Sequence, residues 1–117
     1  MITLEVKETR VFVRPGFTDM RKQINGLAVI AEQVMECKVF EPSLFLFCNA
    51  ERRILKALYW DRTGFCLWQK RLEKARFPWP RTVEQARCEI NAEKLRMLLS
   101  GIDFWAEHQE LAYERVS

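Results

Sequence analysis

The sequence predicts an α+β fold: an antiparallel β-sheet with a central β-hairpin, packed against two or three helices. Three observations carry this. "RRILKALYW" and "GFCLWQKRL" are β-favouring runs on either side of Asp61-Arg62-Thr63-Gly64, a turn sequence. "SLFLFCN" (43–49) is a nearly all-apolar run, too short for a typical helix and suited to a buried central strand. Met20, Ile24, Leu27, Ala31, Val34 and Met35 recur at helical spacing and form one apolar stripe.

Taken in order, "EVKETRVFVRPG" reads as one or two short strands ending at the turn pair Pro15-Gly16. A helix follows, with Thr18 as its N-cap, Asp19 favoured by the dipole of the first turn, and an end near Glu36. Gly26 inside it costs up to about 1 kcal/mol against Ala, which a close packing contact would explain. After the 43–49 strand comes the hairpin, with strands over roughly Arg53–Trp60 and Phe65–Arg71. Asp at the first and Gly at the fourth turn position gives a type I turn, with Gly64 left-handed in a bulge. "FPWP" is extended, because its prolines exclude a helix or a central strand. "RCEIN" is a last strand. Asn91 then caps a helix through Leu99, Glu93 lies in its first turn, and Ile90 and Leu95 hold the two places of a hydrophobic staple. Gly101 stops it. A further helix from Asp103, with Trp105 and Tyr113, has a weaker pattern.

The totals bound the function. A chain of 117 residues, 49% hydrophobic and 30% charged, predicts one globular domain over 1–117, with a core of about 10–104 and a less typical tail over 105–117. No window supplies 18 apolar residues for a membrane helix. "MITLEVKETR" has charges where a signal peptide needs an apolar run, so the reading is cytoplasmic. Cys37, Cys48, Cys66 and Cys88 are far apart and form no Cys-x-x-Cys, and His108 is the single histidine, so no zinc set and no other cofactor is expected. Reduced, partly buried thiols fit an apolar chain better than two disulfides.

The net charge of +3 is unevenly spread. Residues 52–81 carry nine basic and two acidic side chains, a net +7, against −1 before them and −3 after. The same stretch holds Trp60, Trp68 and Trp79. If the bulged turn sets the register so that Asp61 faces Phe65, then Trp60 faces Cys66, Leu58 faces Trp68 and Lys56 faces Lys70, and these last three pairs share one side. Two lysines directly opposed destabilise a bare sheet, and a polyanion would relieve them. Rings beside cations also suit nucleic acid, with stacking on bases and charge at phosphates. The alternative is that the tryptophans are core and the Lys and Arg stems merely cover apolar surface.

These residues also carry a resemblance. "TDMRKQINGLA" (18–28), "LFLFCNAERRILKALYWDRTGFCLWQKRLEKARFPWP" (44–80) and "AEKLRMLLSGIDF" (92–104) resemble the TnpB-type accessory protein of the insertion sequence 66 transposon family, also called Orf2-like. The most specific motifs are Lys-x-Leu-x-Trp-Asp-x-x-Gly-Phe, from Lys56 to Phe65, and Lys70-Arg71-Leu72 followed by Phe77-x-Trp-Pro. This family is unrelated to the RNA-guided nucleases that share the TnpB name. The resemblance implies a bacterial mobile-element protein encoded beside a larger transposase and assisting transposition, with no catalytic residues to carry over. "CNAERRI" stands where a more basic-looking stretch is usual.

A cut-and-paste transposase needs about three carboxylates converging on two metal ions. Asp19, Asp61 and Asp103 each have a simpler role, at a helix start, a turn and the start of the C-terminal segment. A nucleophilic cysteine needs an electropositive, exposed setting, and Cys66 beside the basic hairpin is the only one to name; His108 lies in the weakly patterned tail, and no Gly-rich phosphate loop occurs. The expectation is a non-enzyme. Two functions remain. In one, Arg53, Lys56, Arg62, Lys70, Arg71, Lys74 and Arg76, with Arg21 and Lys22, bind DNA while Trp60, Trp68 and Trp79 anchor the structure. In the other, the aromatic surface docks the transposase or a second copy in a homo-oligomer, and the cations form a polar rim.

Overall fold

A computed structural model describes residues 9–105. Five strands form one sheet: β1 (Arg10–Val13), β2 (Ser43–Cys48), β3 (Ile54–Asp61), β4 (Gly64–Arg71) and β5 (Cys88–Ile90), in the order β4-β3-β2-β1-β5. Helix α1 (Ile24–Val29) runs into a π-helical segment, Ile30–Val34, and α2 (Ala92–Leu99) follows β5. The class is α+β as the sequence predicts, with two differences. The sheet is mixed, because β1 and β2 pair in parallel across the α1 crossover. The hairpin β3–β4 lies at one edge, so the centre belongs to β2.

All six residues of β2 are buried, as its unbroken apolar run predicts. Both faces of the sheet are covered, so this strand does not alternate. On one face Val11, Leu46, Leu55 and Ala57 pack with Leu95 and Leu98 of α2 and with Phe77 and Trp79. On the other Phe12, Phe45, Phe47 and Leu58 pack with Leu27, Ala31 and Met35.

The first helix starts later than Thr18. Its N-cap is Gln23, which makes no side-chain capping bond. The Asp19 carboxylate instead accepts from the Arg21 backbone N–H at 2.9 Å, a local turn that competes with helix. The carbonyls of Met20 and Lys22 point away, to the Lys56 ammonium. At Gly26 the close contact is with Lys22: an added Cβ would lie 3.3 Å from that side chain's own Cβ.

The second helix follows its sequence signals. The Asn91 side chain accepts from the Lys94 N–H at 2.8 Å, and Ile90 and Leu95 share one buried cluster. At its end the Ile102 N–H reaches the Met97 carbonyl and the Gly101 N–H reaches that of Leu98, with Gly101 at φ +79°. This is the Schellman arrangement, and it needs the left-handed residue that glycine supplies.

"FPWP" is extended and packs inward through Phe77 and Trp79. The Trp79 indole donates to the carbonyls of Arg14 (3.0 Å) and Gly16 (2.9 Å), and the Gly16 N–H donates to Pro80 at 2.8 Å. Gly16 has φ +78°, and a Cβ there would come within 2.6 Å of Val83 Cγ2. Phe104 and Trp105 have helical backbone; Tyr113 and His108 lie outside the described residues.

Candidate nucleic-acid interface

The hairpin forms where the sequence places it, in a different register. Asp61 pairs with Gly64, Trp60 with Phe65, Tyr59 with Cys66, Leu58 with Leu67, Ala57 with Trp68, Lys56 with Gln69 and Leu55 with Lys70. The turn holds only Arg62 and Thr63 between paired ends. Arg62 takes the left-handed conformation, φ +51°, and the Thr63 N–H donates to the Asp61 carbonyl. Gly64 is a ladder residue without positive φ, so the expected bulge is absent. One residue fewer in the connection turns β4 over relative to β3.

Lys56 and Lys70 are therefore on opposite faces, and each is spent on backbone. Lys56 is only 2% exposed, and its Nζ donates to the carbonyls of Met20 (2.8 Å) and Lys22 (2.9 Å). This corrects its assignment to a DNA-binding strip, because the ammonium lies inside the protein. Lys70 Nζ donates to the Leu99 carbonyl at 2.8 Å. That carbonyl is the last of α2, where a cation also meets the negative end of the dipole. One lysine thus fixes the approach to α1, and the other the end of α2.

The tryptophans divide in the same way. Trp68 packs against the buried cluster on the α2 side, as an anchor should. Trp60 does not anchor the sheet to a helix. It is half-buried on the α1 side, with Phe40 at 4.9 Å and Phe65 at 5.0 Å, both edge-on. Phe40 is itself 64% exposed. Trp79 is the fully engaged anchor.

The remaining cations are gathered by two clasped loops. Asn49 Oδ1 accepts from the N–H groups of Arg53 (2.9 Å) and Ile54 (3.1 Å), closing a turn in which Arg52 is left-handed at φ +60°. The carbonyls of Arg52 and Arg53 then accept from the N–H groups of Phe77 (2.6 Å) and Leu72 (2.8 Å). Arg53 Nη1 returns to the carbonyls of Glu73 (3.2 Å) and Ala75 (3.4 Å). The loop after β4 is thereby folded onto the loop before β3. The two joined loops, at the open end of the hairpin, carry Arg52, Arg53, Arg71, Lys74 and Arg76, with Glu51 and Glu73 as their acidic residues. Arg71, Lys74 and Arg76 are exposed, and Arg71 pairs with Glu73 at 3.0 Å.

Arg62 is not part of this group. It is exposed at the hairpin tip, eight residues of strand away, about 25 Å at roughly 3.3 Å per residue. Arg21 and Lys22 belong to the segment that Lys56 grips, on the α1 side of the open end. The Arg21 guanidinium is held by Asp19 at 2.7 Å, and its hydrogen bonds push that carboxyl down to about 2. Lys22 is exposed.

Arg52 is not among the cations that the sequence marks for DNA binding; the doublet Arg52-Arg53 is its one signal, and the Asn49 turn sets its left-handed backbone. Arg52 also lines a groove of about 580 Å³ with Arg81, Pro78, Trp79, Asp103 and Trp105. Trp105 Nε1 donates to the Pro78 carbonyl at 2.9 Å, fixing one wall.

No three residues among His, Cys, Asp and Glu come together to hold a metal ion among the described residues. Asp19 is bound to Arg21, Asp61 pairs with Gly64 beside the turn, and Asp103 lines the groove. Burial pushes the Cys48 thiol up to about 12. None of the helices of the described residues is long and apolar enough to cross a membrane.

The profile of the family described as IS66 Orf2 like protein matches residues 9–109. Two curated proteins of Sinorhizobium fredii (strain NGR234) are similar to the chain. The uncharacterized protein y4hO is 36% identical over 104 residues, covering 89% of each chain. The uncharacterized protein y4jC is 26% identical over 95 residues, covering 81% of this chain and 80% of its own. No solved structure matches.

Proposed function

Because the chain belongs to the IS66 Orf2-like family, we propose that it is a non-catalytic accessory protein for transposition of a bacterial insertion sequence, and that it holds DNA by the phosphate backbone at the open end of the β3–β4 hairpin. The observation that carries this reading is the clasp between the 49–53 and 71–77 loops. It concentrates five cations against two carboxylates on a frame fixed by backbone hydrogen bonds. Arg52, Lys74 and Arg76 are the main phosphate contacts, Arg53 and Arg71 support them, and Lys22 and Arg21 extend the field on the α1 side. Arg62, at the far tip, contributes only to a partner long enough to span the hairpin. Such contacts position DNA without reading its sequence. The protein works in the cytoplasm as one domain, with the cognate transposase as its protein partner and no catalytic residue of its own.

A titration on transposon-end and random duplexes at two salt concentrations tests this reading. The expected result is comparable binding to both, falling steeply with salt through counterion release. Binding that ignores salt would refute it. A second reading, an adaptor without DNA contact, is favoured by one observation, the exposed Phe40 packed edge-on against Trp60 and tilted against Phe65.

A further inference from the structure

The outer edge of β4 is the least protected part of the sheet. The Leu72 N–H bonds to the Arg53 carbonyl, so residues 72, 70, 68, 66 and 64 turn their backbone groups inward to β3. Phe65, Leu67, Gln69 and Arg71 therefore direct their N–H and C=O groups outward. Among the described residues no strand pairs there. The edge is eight residues long and contains no proline and no bulge. Protein edges are usually blunted by such devices or by charge. The opposite edge, β5, has three residues, and its Glu89 is bound to Arg10 at 2.8 Å. On β4 the Lys70 ammonium is turned to Leu99, and Phe65, Cys66, Leu67 and Trp68 are left half-buried.

We propose that two copies of this chain pair antiparallel along β4, about a two-fold axis at Trp68, forming one continuous ten-stranded sheet. This register alone uses all four outward residues of each strand: Phe65 opposite the second copy's Arg71, and Leu67 opposite its Gln69. Between them Cys66 faces Lys70, and Trp68 faces its own copy, with no like charges directly opposed. The match extends to the side chains. The Arg71 guanidinium, now in a solvent-exposed pair with Glu73, arrives at the Phe65 ring, which is already packed with Phe40 and Trp60. A cation over such a cluster is favourable. The self-pairing covers half-exposed aromatic side chains and leaves Arg52, Lys74 and Arg76 outside the contact. It does not depend on DNA binding.

Sedimentation equilibrium of the full chain over a wide concentration range tests the pairing, with Gln69→Pro as the variant. Proline at 69 removes an outward N–H and leaves the inward ladder intact, so the variant should melt like the parent. By symmetry two carbonyls lose their donors at once, and dimerisation should weaken about 100-fold or more. Hydrogen exchange on the parent gives a readout independent of any variant. On going from dilute to concentrated protein, the amides of Phe65, Leu67, Gln69 and Arg71 should gain protection. A parent that stays monomeric at every concentration overturns the proposal. So does a dimer unaffected by a folded Gln69→Pro variant, or concentration-dependent protection confined to other strands.

Discussion

The ammonium of Lys56 holds the backbone carbonyl of Lys22 at 2.9 Å from a position that is almost wholly buried. A second bond goes to Met20 at 2.8 Å. A cation is tolerated among aromatic residues here because its stem fills apolar space and its tip meets two carbonyls that would otherwise extend α1 backward. Lys70 does the same for the last turn of α2 on the other face.

Lys56→Met should therefore destabilise the fold, where a solvated lysine would be neutral. Hydrogen bonds to a charged group contribute about 1.5–3 kcal/mol each, and a Met side chain recovers part of the loss through packing. A loss of about 2–4 kcal/mol in urea melts is expected, and about 1–2 kcal/mol for Lys70→Met at its helix end. Parental melts for both variants would contradict the clamp.

The turn makes a prediction opposite in sign to that of a bulged hairpin. With Gly64 left-handed, Gly64→Ala would be costly. Gly64 has no positive φ, and nothing lies within 4 Å of an added Cβ. Gly64→Ala should raise stability by about 0.4–1 kcal/mol through the unfolded chain. A loss in thermal melts would restore the bulge.

The tryptophans should separate by position. Trp79 is 4% exposed and donates to two carbonyls, so Trp79→Ala should cost about 3–5 kcal/mol, and Trp79→Phe about 1–3 kcal/mol for the unpaired acceptors. Trp60, half-buried against Phe40 and Phe65, should cost clearly less when truncated. Equal losses in urea melts would show that Trp60 is core after all.

Asp19 should titrate low in the folded protein, at about 2 against an ordinary 3.8, because the Arg21 side chain and then its backbone N–H bond the ionised form. A depressed carboxyl pKa stabilises the fold above the unfolded value and loses that contribution as pH falls through about 2. The site is exposed, so the effect on stability is small and the titration itself is the better readout. Carboxyl-detected NMR should show the midpoint rising toward the ordinary value in Arg21→Ala. An unchanged midpoint would exclude the pairing.

Much of the fold was legible because local signals and burial agreed. β2 announced itself as an unbroken apolar run, α2 by its Asn91 cap and Gly101 stop, and the hairpin by two β-favouring runs around a turn. The hairpin's register was not legible, because Asp-Arg-Thr-Gly fits a bulged turn as well as the two-residue turn that forms. That one-residue ambiguity decides the face of every side chain on β4. The roles of the cations were hidden for a different reason. Lys56, Lys70 and Arg53 are claimed by carbonyls far away in sequence, and composition cannot distinguish a charge bound to backbone from one left to solvent. The parallel β1–β2 pairing has no local signal, because a helix between two strands fits a crossover as well as an antiparallel arrangement.

What separates phosphate contact from ordinary surface charge is the salt dependence of DNA binding by a Lys74→Gln/Arg76→Gln double variant, with Lys56→Met as the buried comparison. Each phosphate contact adds about 0.9 to the logarithmic salt slope, so losing two should flatten it by about 1.8. Affinity should fall equally for transposon-end and random duplexes, and folded Lys56→Met should keep the parental slope. A double variant that binds DNA with the parental slope would contradict the interface, and so would a parent with no salt-dependent binding.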